Sequence, residues 1–228
     1  MVAAGLSSPA RAAVVTVSAA HDNTLFEDAA GVLSSGAGEG IFAGNNGQSV
    51  TRRALVIFDV AGAIIEPAII DSVELWLNVN SAPNSTPQEM TVHRALASWG
   101  EGASVSTGGS GAPAEAGDAT WLHRFYPDTF WSTAGGDFES APSAVATVGP
   151  IGLHVWKSAA LAEDVTDWLV APSQNFGWLI RAPEDAASTV RRFDSRETET
   201  GPTIVIYYTP LPNATHPTTW GRVKSLYR

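Results

Sequence analysis

The feature that most constrains this chain is its punctuation: short β-prone runs are cut at close intervals by clusters of Gly, Pro, Asn and Ser. Residues 14–18 open the series, and Ala54, Leu55, Val56, Ile57 and Phe58 form a continuous apolar run, the pattern of a strand buried on both faces. In the second half of residues 69–79, Val73, Leu75, Leu77 and Val79 alternate with Glu74, Trp76 and Asn78, so one set points inward and the other outward. Residues 90–96 keep the same period, and further runs lie at 144–148, 152–156, 177–181, 189–193 and 203–208. This spacing predicts an all-β, jelly-roll-like antiparallel β-sandwich rather than βαβ units. One short helix is expected where Leu161, Val165, Trp168 and Leu169 make a single apolar stripe, with Ser158 as its cap, Pro172 as its stop, and Glu163, Asp164 and Asp167 off the stripe.

Three boundaries frame this domain. Residues 1–12 run up to Ala13 through Ala10-Arg11-Ala12, a stretch that fits a signal-peptidase site, and read as the remnant of a signal peptide. Residues 13–209 hold the sandwich, and residues 210–228 form a tail that starts with Pro210 and Pro212 and ends basic and aromatic. The expected location is therefore extracellular, secreted or at the cell surface, with no run of about 18 apolar residues to span a membrane. The 228 residues contain no Cys, which excludes disulfides, thiolate metal sites and cysteine nucleophiles. A net charge of −10 with 13 Lys plus Arg argues against nucleic acid as a partner, since that contact needs clustered cations. The balance suits calcium, cationic surfaces, or neutral and calcium-bridged polysaccharides, and the expected partners are polysaccharide or cell-surface proteins.

Residues 99–139 stand apart as a long loop insertion, with Gly-rich stretches, six acids against one Arg, and Trp99, Trp121, Tyr126 and Trp131. Long insertions are where scaffolds carry function. With Arg124 and the outward-phased Trp76, these aromatics are candidates for a platform under sugar rings, or else for plugs beneath the loop. The acids make calcium the one candidate cofactor, with Asp22, Asn23, Glu101, Asp118 and Asp137 as candidate ligands or else as surface acids. Arg53, Arg192 and Arg196 flank apolar strands and need carboxylates, for which Asp59, Asp194 and Glu197 are candidates in one ion-pair network. A lyase-like group can be drawn from His93, His123, Arg124 and Tyr126, and a hydrolase pair from Glu101, Asp118 and Asp137. No nucleophile-elbow, zinc-protease or P-loop string accompanies either, so the reading is non-catalytic.

Several of these runs together carry a resemblance. Arg52-Arg53-Ala54-Leu55-Val56-Ile57-Phe58-Asp59, the stretch from Ile69 to Leu77, Asp164-Val165-Thr166, Asn175-Phe176-Gly177-Trp178-Leu179 and Arg192-Phe193-Asp194-Ser195-Arg196-Glu197 follow the order of the motifs of DNRLRE-type domains. The naming motif is incomplete here: Arg196-Glu197 is kept without the full string. That family is similar to jelly-roll carbohydrate-binding modules, and the resemblance implies a sandwich that binds uronate-type polysaccharide. The alternative is a structural or adhesive surface module that binds protein partners or copies of itself; a polysaccharide lyase-like enzyme comes third.

Overall fold

The computed structural model describes residues 11–211. Their strands are β1 (Ala13–Phe26), β2 (Leu33–Ser34), β3 (Gly40–Asn45), β4 (Thr51–Phe58), β5 (Ala68–Ser81), β6 (Gln88–Arg94), β7 (Ala112–Pro113), β8 (His123–Phe125), β9 (Thr129–Phe130), β10 (Ala144–Val148), β11 (Gly152–Ser158), β12 (Trp178–Arg181), β13 (Arg191–Asp194) and β14 (Thr203–Pro210). Two helices, α1 (Val60–Ala63) and α2 (Ala159–Val170), interrupt them. The architecture is the expected all-β sandwich. The proposed signal-peptide remnant, apart from Arg11 and Ala12, and the tail beyond Leu211 lie outside the described residues.

All long-strand pairings are antiparallel, in the order β1-β14-β5-β13-β3-β4-β12-β6-β10, with β11 on the other edge of β5. The array folds into two layers because β1 serves both. Its first half pairs with β14, its second half pairs with β4, and the register shifts between Ala19 and His21. A bulge at such a corner lets one strand turn from one sheet into the other. The front sheet holds β14, β5, β11 and β13; the back sheet holds β4, β12, β6 and β10.

The main core lies between the layers. Val73, Leu75, Leu77 and Val79 of β5 face inward as their alternation predicts, meeting Val56, Val92, Trp178 and Ile180 of the back sheet. The Trp168 and Trp178 rings pack tilted against each other, with centroids 4.6 Å apart. Helix α2 starts where Ser158 Oγ accepts the Leu161 N–H at 3.1 Å, and it buries Leu161, Val165 and Trp168. Asp164 corrects its expected place off the apolar stripe. It is buried, accepting the Trp178 indole N–H at 2.7 Å and the Ser143 hydroxyl at 2.6 Å, with Arg94 3.5 Å away. The helix is thus fastened to the sandwich by a satisfied carboxylate as well as by burial.

The back sheet is buried on its outer side too. Leu25, Leu55 and Leu179 point away from the main core and pack with Ala119 and Trp131, joined by Trp99, Trp121 and Phe138. The insertion is the cover, and this second core answers why residues 54–58 are apolar on both phases.

Candidate functional site

Most aromatics expected on a platform serve instead as structure. Trp131 is buried and donates its indole N–H to Thr120 O at 2.9 Å. Trp99 donates to Phe176 O at 2.9 Å, and Trp121 lies under the Arg53 guanidinium, 4.8 Å from its ring. Tyr126 meets the edge of the His123 ring, and Arg124 donates to Ser98 O at 3.1 Å. These contacts tie the insertion to itself and to the sandwich, with Trp131 buried and Trp99, Trp121 and Tyr126 half-buried. The histidines of the lyase-like group are also engaged. His93 contacts Glu139 O at 2.9 Å and Thr91 Oγ1 at 2.8 Å, and burial lowers its pKa. His123 is buried against Thr120 Oγ1 at 2.9 Å.

The arginines found partners, though not all the expected ones. Arg53 makes a bidentate pair with Glu184 at 2.8 and 2.9 Å and a further bond to Gly135 O at 2.8 Å. Arg181 grips the same carboxylate at 3.0 and 2.8 Å. Burial alone would raise the Glu184 pKa, but the two guanidiniums outweigh it and carry the group down to about 2. Asp59 corrects the expected network: its carboxylate accepts the Gly62 N–H at 2.9 Å and caps α1. Glu184 was missed because it lies 131 residues from Arg53 in sequence; its short spacing from Arg181 was the only local signal. Asp194 accepts from Asn78 at 2.6 Å and also from Asn80 and Thr200; burial works against its ionised form, but these bonds lower its pKa overall. Arg192 lies over the Phe42 ring at 5.9 Å, beside Asp194, whose pKa its charge helps to lower.

Four of the five candidate calcium ligands come from segments that meet near the sheet corner. Asp22 and Asn23 sit on β1 and are fully buried. Glu101, at the start of the insertion, accepts the Asp22 N–H at 2.9 Å, and its own carbonyl accepts the Asn23 amide at 2.7 Å. Asp118 is buried close by, accepting the Glu115 N–H at 2.6 Å, and desolvation raises its pKa. Asp137 is elsewhere, capping a turn through the Ser132 and Thr133 N–H groups at 2.9 Å each. The Glu101 carboxylate is already engaged on both oxygens. Glu101 Oε1 already receives the Asp22 N–H and Arg196 Nε, and its Oε2 faces His21 Nδ1 at 3.0 Å. Among the described residues no three His, Asp or Glu side chains gather as metal ligands.

Two further aromatics lie on the outer face of the front sheet, where among the described residues Trp76 is half-buried and Tyr207 exposed. Register places Thr203, Trp76 and Val155 in one row across β14, β5 and β11, and Val205, Glu74 and Lys157 in the next. Tyr207, paired with Ser72, continues the face and is 39% exposed. The Trp76 indole N–H donates to Glu74 Oε2 at 3.1 Å, Lys157 Nζ donates to Glu74 Oε1 at 2.7 Å, and Lys157 lies 5.6 Å from the Tyr207 ring centre. The Lys157 hydrogen bond lowers the Glu74 pKa and raises that of Lys157. This face thus carries two aromatic rings, Trp76 and Tyr207, each in contact with the Glu74–Lys157 pair. Sequence phase alone had put Trp76 outward. Tyr207 was passed over because its run reads as a core strand.

Compared with known proteins, the chain matches no family model, and no curated protein sequence matches it. Among the described residues no helix is long and apolar enough to cross a membrane.

Proposed function

We propose that this chain is a secreted, non-catalytic carbohydrate-binding module whose binding face is the outer surface of the front sheet around Trp76 and Tyr207. The observation that carries the reading is the pair of rings, Trp76 and Tyr207, beside the Glu74–Lys157 ion pair on the outer face of the front sheet. Sugar C–H faces stack on such rings, and two-torsion aromatic side chains lose little entropy on binding. Lys157 adds a cation beside the rings, which suits a carboxylate-bearing, uronate-type polysaccharide. The resemblance to DNRLRE-type domains supports the same class.

A screen of polysaccharides, alginate and other uronates included, tests this with the purified chain. Binding to one polymer class that is lost in Trp76→Ala and in Tyr207→Ala, with little change in melting temperature, is the expected result. Binding that survives both substitutions places the ligand elsewhere and sinks the assignment of this face.

A second reading has its own observation. Ile64, Ile65, Pro67, Leu169, Val170 and Leu211 line an apolar groove of about 390 Å³ at the α1–α2 end. There Ile65 is 85% and Val170 83% exposed. Exposed apolar patches mark protein contacts, so a chain that binds no polysaccharide is best read as an adhesive or structural surface module docking through this groove.

A further inference from the structure

We infer that Arg196 takes the place a divalent cation would occupy at the sheet corner, so that the insertion is latched to the sandwich by the chain's own guanidinium and needs no metal. Three segments meet at this point: β1 with His21 and Asp22, the start of the insertion with Glu101, and the loop after β13 with Arg196 and Glu197. The Arg196 main-chain N–H donates to Asp22 Oδ2 at 2.7 Å. Its Nε donates to Glu101 Oε1 at 2.6 Å and lies 3.3 Å from Glu197 Oε1. One residue therefore joins the acid of β1 and the carboxylate of the insertion to its own loop, the first through its main chain and the second through its guanidinium. Glu101 is the hub on the insertion side, since it also takes the Asp22 N–H and faces His21.

The inference is independent of what the outer face of the front sheet binds. It is tested by melting the full chain with chelator and with about 1 mM calcium chloride, the range in which extracellular modules bind the ion. Equal melting temperatures are expected; a rise with calcium or a fall with chelator overturns the inference. Arg196→Gln removes the charge and keeps the length. The variant should melt lower and should gain a calcium response of a few degrees, because Glu101 and Glu197 are left without a counter-ion. A variant that folds and responds to calcium no more than the parent also overturns it. Should the variant not fold, the melts of the parent chain decide alone.

Discussion

Asp22 and Glu184 pull the pH dependence of stability in opposite directions. The folded pKa of Asp22, about 8, lies above its ordinary 3.8, so the folded state binds the proton more tightly. Its contribution is therefore complete below pH 3.8 and is lost as pH rises toward 8, at about 1.4 kcal/mol per pH unit. The folded pKa of Glu184, about 2, lies below its ordinary 4.5, so its contribution is complete above pH 4.5 and is lost as pH falls toward 2. Urea melts across this range should show greatest stability in weak acid, and Asp22→Asn should flatten the alkaline limb. A limb that keeps its slope in that variant would assign the titration to another group. Arg53→Ala should cost about 3 kcal/mol, since Glu184 stays largely buried with only Arg181 to balance it. A loss below about 0.5 kcal/mol in chemical denaturation would mean the pair is solvated.

At the level of elements, period and capping were readable and partnership was not. The alternation of β5 exposed its inner and outer faces because a strand's side chains have a period of two, whatever it packs against. Helix α2 was equally plain from its stripe and from Ser158, but the burial of Asp164 was not, because its partners Ser143 and Trp178 belong to other elements. The insertion shows the same limit. The apolar run of residues 54–58 requires cover on both faces, and the tryptophans of residues 99–139 are suitable cover, yet neither segment names the other. Their meeting is a long-range packing event. Trp131→Ala should accordingly cost about 3–5 kcal/mol, the scale of a buried large-to-small change, measured by denaturant melts. A near-neutral result would return Trp131 to the surface and reopen the platform on the insertion. Gly177, just before β12, is a sharper local constraint. Its φ is +74°, and a Cβ there would lie 2.0 Å from Val56 O, so Gly177→Ala should destabilise by more than about 1 kcal/mol.

Among the described residues the two outer faces differ: the insertion covers that of the back sheet and not that of the front sheet. That division puts the insertion's aromatics at the back and the candidate binding pair, Trp76 and Tyr207, at the front, so stability and ligand affinity should separate between the two sets. It also makes the insertion indispensable, for without it Leu25, Leu55 and Leu179 would form an exposed apolar strip on the back sheet. Strand β1 has a further consequence, a mechanical one. Its first residues pair with the last of β14, Ala13 opposite Tyr208, so the chain enters and leaves the sandwich side by side. Tension on the two ends would load that ladder from its tip and open the pairs one after another, whereas shear would load them all together. Stretched between two anchors, the module should yield first along this seam, at low force, while both cores remain closed.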